Sequence, residues 1–197
     1  PMVNPDGVEL VLKGLRPDNP EYENLLMWNN WNLDFSKVWQ ANNRGVDLNH
    51  NYDAAWEISK KAEAEHGITG PGPTRYSGPY PESEPESRGL AYFTRQHDFR
   101  LVLAYHSQGE VIYWNFMGLE PPEARSIGEV FSRITGYELD EPEGIAGYGG
   151  YKDWFIKEFR RPGYTIEVGL GQNPLPISQF DDIYRKNLPL LLEAALI

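Results

Sequence analysis

The chain has 197 residues, 40% of them hydrophobic and 13% aromatic, with 18 Lys and Arg against 29 Asp and Glu and a net charge of −11. That profile suits one folded domain, or most of a larger one, and not a disordered chain; an acidic chain without a basic run is a poor partner for nucleic acid or an anionic membrane surface. No apolar run reaches the roughly 18 residues of a membrane span, and with no Cys a metal here would need His and carboxylate donors.

In chain order, Pro1 to Gly7 reads as a strand end running into a turn, because Asn4-Pro5 and Asp6-Gly7 both form turns. A domain rarely begins at such a point, so the natural N-terminus is expected upstream. Residues 19–32 are polar and aromatic without clean periodicity, which predicts a loop with short helical pieces. Residues 45–52 predict a polar loop at a sheet edge, and the Gly- and Pro-rich residues 67–81 a surface loop. Ser83-Glu84-Pro85-Glu86 has the pattern of a capping box with Pro in the first turn. It predicts a helix to about Asp98, with Leu90, Ala91, Phe93 and Thr94 on one side.

Residues 99–106 are mostly apolar and predict a strand covered on both faces, and residues 111–116 predict another. Residues 123–135 form an amphipathic pattern with Ile127, Val130, Phe131 and Ile134 inward, stopped by Gly136. A Gly-rich loop at 144–150, a short aromatic helix at 151–159 and a strand at 164–168 follow. A last helix runs from Ser178, bent or split by Pro189. Strands alternating with helices predict an α/β fold.

Four histidines are available: His50, His66, His97 and His106. His66 lies in a charged helical stretch, and His97 near a helix C-terminus, where a cation suits the dipole. His106 ends one apolar strand and Glu167 lies near the end of another, the place where functional groups gather in open α/β sheets. A His there is either a hydrogen-bonded structural residue or a ligand. A carboxylate within Thr165-Ile166-Glu167-Val168-Gly169 is costly unless paired or functional.

The order of the short motifs narrows the choice. Asn4-Pro5-Asp6-Gly7 is followed by Arg44-Gly45-Val46-Asp47-Leu48-Asn49-His50-Asn51 and Ser83-Glu84-Pro85-Glu86. Ala104-Tyr105-His106-Ser107, Gly149-Gly150-Tyr151-Lys152-Asp153-Trp154 and Thr165-Ile166-Glu167 complete the series. Over nearly the whole chain it resembles the zinc carboxypeptidase family. The resemblance implies a three-layer α/β/α fold with a mixed, mostly parallel central sheet, incomplete at its N-terminal side. Residues 1–197 would then be the C-terminal two-thirds of one catalytic domain.

It also implies site roles. His106 falls at the place of the family's later zinc-ligand His, and Glu167 at that of its catalytic carboxylate. Arg44 falls in the region of the Arg that holds the oxyanion; its alternative is a surface Arg capping the loop. The family's His-x-x-Glu pair lies before the Asn-Pro-Asp-Gly turn, and no His-x-x-Glu occurs in this chain. One zinc ion per complete domain is thus implied, with two ligands outside these residues and this chain alone inactive.

Three departures refine the substrate. Where the family clamps a terminal carboxylate with Asn-Arg, this chain has Asn49-His50, and a His lacks the bidentate guanidinium fork. The family's mobile Tyr falls on Ile145, with Tyr148 and Tyr151 nearby as replacements. Lys152 stands where the family reads the departing residue's side chain; it would welcome an acidic group, unless it is a solvated Lys on a short helix. With residues 105–114, 150–156 and 171–176, these features resemble the subgroup of bacterial γ-D-glutamyl-L-diamino acid endopeptidases, which cut cell-wall peptides. A peptide or muropeptide is the implied partner, without nucleic acid or membrane insertion, in the bacterial cytoplasm or cell envelope. The competing expectations are an ordinary carboxypeptidase and a zinc-free muropeptide-binding module.

Overall fold

Four short strands, β1 (Val102–His106), β2 (Val111–Tyr113), β3 (Glu138–Asp140) and β4 (Gly163–Glu167), make one sheet in the order β1-β4-β2-β3. The β1–β4 and β2–β3 pairs are parallel, and β2 runs antiparallel to β4. The computed structural model describes residues 2–142 and 144–197. By internal contacts it divides into two compact units, Pro1–Asp98 with Tyr148–Gly150, and Phe99–Gly147 with Tyr151–Ile197. The sheet lies in the second.

Alternation along β4 decides what covers each face of the sheet. Tyr164 and Ile166 are fully buried and pack with Ile112, Phe131, Tyr137 and Leu190. Phe131 belongs to α5 (Ala124–Thr135) and Leu190 to α7 (Phe180–Leu196), so these helices cover that face. Side chains along a strand point alternately to opposite faces, so Gly163, Thr165 and Glu167 face the other way. There a Cβ on Gly163 would meet Lys152 and Ile156 at 3.1–3.3 Å, which places α6 (Tyr151–Phe159) on that face. Helices on both faces of a mixed, mostly parallel sheet give the expected three layers.

Local chemistry explains the elements. Gly136 ends α5 in the left-handed conformation (φ 76°) and donates to the Ser132 carbonyl at 2.8 Å, as the sequence predicts. Gly128 lets α5 approach the sheet, since a Cβ there would lie 2.8 Å from Leu139. Helix α7 continues through Pro189 as one element, so the expected split does not occur. Its contact with α5 and the buried Leu190 hold it where the proline removes a backbone donor. Strand β3 has the burial pattern exposed, half-buried, exposed; so little apolar content leaves no signal in the sequence.

The first unit carries α1 (Pro5–Lys13), α2 (Tyr22–Trp28), α3 (Trp56–Glu65) and α4 (Pro85–Arg95). Leu10, Leu25, Phe35, Trp39 and Ala41 form its core. The expected turn at Asn4-Pro5-Asp6-Gly7 is instead a helix start. Asn4 caps α1 by accepting from Gly7 N–H at 2.9 Å, with Pro5 in the first turn. Its amide also donates to the carbonyls of Gln40 (2.9 Å) and Ala41 (3.0 Å). The preceding strand end includes Pro1, which lies outside the described residues.

Two expectations for α4 are corrected. Glu84, not Ser83, is its N-cap residue and makes no capping bond; Ser83 Oγ donates to the Glu84 carboxylate at 2.9 Å instead. Ser87, Ala91 and Thr94 are the buried positions, while Phe93 is exposed. The loop at 67–81 is also not wholly superficial, since Ser77 is buried. It donates its N–H to the buried Glu63 carboxylate at 2.9 Å and its carbonyl accepts from Trp56 Nε1 at 3.0 Å. Among the described residues no helix is long and apolar enough to cross a membrane.

Candidate active site

The parallel pairing of β1 with β4 sets His106 opposite Glu167. Residues opposite each other in adjacent strands present their side chains to the same face. Since Glu167 lies on the α6 face, His106 lies there too, and both end their strands. The backbone ladder continues one step further, with Val168 N–H donating to the His106 carbonyl at 2.8 Å.

Glu167 is half-buried. Gly109 comes close to it, since a Cβ there would be 4.0 Å from Glu167 Cβ. Among the described residues no hydrogen bond or ion pair holds its carboxylate. Burial therefore acts unopposed and lifts the carboxyl to about 7, from 4.5. A carboxyl poised there can take a proton and give it back near neutral pH.

Lys152 is 3% exposed, which removes the solvated alternative. Its ammonium donates to the Asn115 carbonyl at 2.7 Å and pairs with the Asp153 carboxylate. Its neighbour in sequence thus supplies a neutralising charge. A buried ammonium needs such acceptors, because desolvation otherwise favours the neutral amine.

Arg44, Asn49, His50 and Tyr148 lie in the other unit. Arg44 is exposed, yet its Nε lies 3.3 Å from Glu84 Oε2, a carboxylate with no exposed surface. Glu84 also accepts from Asn42 Nδ2 at 3.0 Å and from Ser83 Oγ at 2.9 Å. Asn42 Oδ1 in turn accepts from the N–H groups of Arg44 (3.0 Å) and Val46 (3.1 Å), which shapes the loop. This contact uses Nε, one of the several N–H donors that a guanidinium carries.

Asp47 caps the short turn Leu48–His50 by accepting from Asn49 N–H at 3.2 Å. Asn51 donates to the carbonyls of Ser77 (2.7 Å) and Tyr80 (3.2 Å) and accepts from Glu84 N–H (3.2 Å). Asn49 is half-buried; His50 is buried, with Nδ1 3.2 Å from the Tyr148 carbonyl oxygen. The side chain of Ile145 lies outside the described residues.

Glu84 is the residue that sequence reasoning missed. Its capping-box pattern suggested a local role, whereas it is the buried carboxylate of Arg44. The available signal was a pair of acids, Glu84 and Glu86, around Pro85, of which a capping box needs one.

His106 is a metal donor in kind, an imidazole at a strand end in register with a carboxylate. However, among the described residues no group of three or more His, Cys, Asp or Glu could hold a metal ion, and catalytic zinc takes three protein ligands. These residues do not form a zinc site by themselves.

Comparison with known proteins gives the chain a family. The chain is 48% identical over 193 residues to γ-D-glutamyl-L-diamino acid endopeptidase 1 of Lysinibacillus sphaericus, covering 98% of this chain and 47% of that protein. It is 38% identical to a Bacillus subtilis protein, YqgT, over 98% of this chain and 50% of that one. The chain thus spans about half the length of these relatives. Among solved structures, carboxypeptidase A from Helicoverpa armigera matches with a TM-score of 0.66 and 20% identity, over 99% of this chain and 50% of that one. Murein-tripeptide amidase MpaA from Escherichia coli O157 matches with a TM-score of 0.55 and 22% identity, over 77% of this chain and 60% of that one. At those identities the structural matches establish the fold. The family described as zinc carboxypeptidase matches residues 1–189, and the chain belongs to that family.

Proposed function

We propose that this chain is part of a zinc-dependent peptidase that hydrolyses the amide bond between γ-D-Glu and a diamino acid in bacterial cell-wall peptides. The observation that carries the reading is the registration of His106 with Glu167 at the ends of β1 and β4. The 48% identity to a protein named for that activity supports the substrate.

In this reading His106 is one zinc ligand, and the other two come from outside these 197 residues. Zinc, when bound, acidifies a water and polarises the scissile carbonyl. Glu167 accepts the proton from the attacking water and delivers it to the departing amine; a carboxyl lifted by burial suits both transfers. Arg44 stabilises the negative oxygen that develops at the former carbonyl, with Glu84 fixing its Nε side. Asn49, His50 and Tyr148 bind the substrate backbone. Lys152 reads the side-chain carboxylate of diaminopimelate; with Asn115 and Asp153 as acceptors, its ammonium has a third N–H to give.

The test is a digest of the full-length, zinc-loaded protein on a diaminopimelate muropeptide beside an ordinary peptide of L-residues. Cleavage between D-Glu and the diamino acid is expected for the first and none for the second. Release of C-terminal residues from the ordinary peptide would point to a plain carboxypeptidase, and binding without cleavage to a muropeptide-binding module.

A further inference from the structure

Each residue of the turn that follows His106 is tied to the segment that follows Glu167 or to α7. Ser107 and Asn173 bond reciprocally: Ser107 Oγ donates to Asn173 Oδ1 at 2.9 Å, and Asn173 Nδ2 donates to the Ser107 carbonyl at 2.8 Å. Gln108 Oε1 accepts from Gly171 N–H at 3.3 Å. Gly109 N–H donates to the Gly169 carbonyl at 2.9 Å. Glu110 Oε1 pairs with Lys186 Nζ at 2.6 Å, and Asp182 Oδ2 holds the same ammonium at 3.1 Å.

The turn depends on these ties. Glu110 has φ +52°, a left-handed conformation that a residue with a side chain keeps only where its surroundings hold it. The ion pair with Lys186 holds the side chain, and the Glu110 carbonyl accepts from Glu138 N–H at 3.0 Å. Glu167 depends on the turn in its own way. Its neighbours on the same face of the sheet are His106 on β1 and Val111 on β2. Gly109 closes that row, since a Cβ there would lie 3.3 Å from Val111 Cγ1 and 4.0 Å from Glu167 Cβ. Among the described residues no hydrogen bond fixes the Glu167 carboxylate, so packing against these neighbours is what limits its rotamers.

We propose that Asn173 and Lys186 are positioning residues, which clasp the turn Ser107–Glu110 against Glu167 and so hold its carboxylate in one place. Asn173 fastens the start of the turn through both ends of its amide, and Lys186 fastens the end through Glu110. Neither touches substrate; both act through Glu167. The consequence for catalysis rests on the functional reading above, in which Glu167 carries the proton. The clasp itself does not rest on it.

The experiment uses the full-length, zinc-loaded protein and a γ-D-Glu–diaminopimelate peptide. Asn173→Ala and Lys186→Met are each expected to lower kcat about tenfold with KM nearly unchanged, because a misplaced carboxylate costs rate rather than binding. Lys186→Arg, which can still pair with Glu110 and Asp182, should restore most of the wild-type kcat; failure to do so removes Lys186 from the proposal. In a Glu167→Gln background neither Asn173→Ala nor Lys186→Met should lower the residual rate further, since residues that act through one group share its loss. An equal fall in that background, or kcat unchanged in both single variants, overturns the proposal. Amide hydrogen exchange with a chelator present reads the clasp without substrate. Slow exchange at Gly109 in wild type is expected, with roughly tenfold faster exchange in both variants and no change at Ile112. Fast exchange at Gly109 in wild type overturns the clasp. If wild type cuts no such peptide, the functional reading and the positioning role fall together, while exchange still decides the clasp.

Discussion

His106 and Glu167 are register partners across a parallel strand pair, each the last residue of its strand. That single relationship joins a metal-capable imidazole to a carboxyl lifted to about 7 by burial. It also carries a cost in stability, because a buried group that wants its proton resists ionisation.

The cost is measurable through pH. Between 4.5 and about 7 the folded protein binds more protons at Glu167 than the unfolded chain does, so this group lowers stability as pH rises through that window. Glu167→Gln, which cannot ionise, is expected to stabilise the metal-free full-length protein by about 1–3 kcal/mol at pH 8, after discounting for solvent screening. At about pH 4 the two proteins should be equal. Urea unfolding with a chelator present checks this; an equal gain at both pH values would assign the effect to something other than titration.

The buried Lys152–Asp153 pair makes a specific demand on any test of Lys152. Lys152→Met alone removes the cation from a buried ion pair, at a cost of about 3–5 kcal/mol. Adding Asp153→Asn should recover part of that loss, as read by thermal unfolding. In the double variant, KM for a diaminopimelate peptide should rise roughly thirtyfold, equivalent to about 2 kcal/mol, with little change for a Lys-type peptide. An unchanged preference in that stable variant would remove Lys152 from substrate recognition.

Much of the architecture follows from patterns of period and punctuation. The Gly136 stop, the aromatic helix at Tyr151–Phe159 and the apolar strands that end at His106 and Glu167 are all legible that way. What escaped reading depended on long-range polar contacts. Nothing local tells that Asn4 bonds to residues 40 and 41 and so turns a turn-like motif into a helix start. Nothing local tells that Glu84 reaches back to Asn42 and Arg44. The candidate site residues were named through motif order, while their environments were not: Lys152 has a partner in Asp153 and His50 one in Tyr148 that no local pattern announces.

Glu84 should matter to catalysis only through Arg44. Arg44→Ala is expected to lower kcat about 10²–10³-fold, as removal of an oxyanion donor does. Glu84→Gln, which keeps the shape and loses the charge, should lower kcat roughly tenfold and leave KM nearly unchanged, because it frees the guanidinium to wander. The double variant should be no worse than Arg44→Ala alone. Additive losses in a steady-state kinetic cycle would mean that Glu84 acts by a separate route.

The most direct test of the central claim is kcat and bound zinc measured together for Glu167→Gln in the full-length protein, on a γ-D-Glu–diaminopimelate peptide. Loss of the proton carrier should lower kcat about 10²–10⁴-fold while zinc content matches wild type. Zinc lost together with activity would make Glu167 a ligand or structural residue, and activity kept would take the proton transfer away from it altogether.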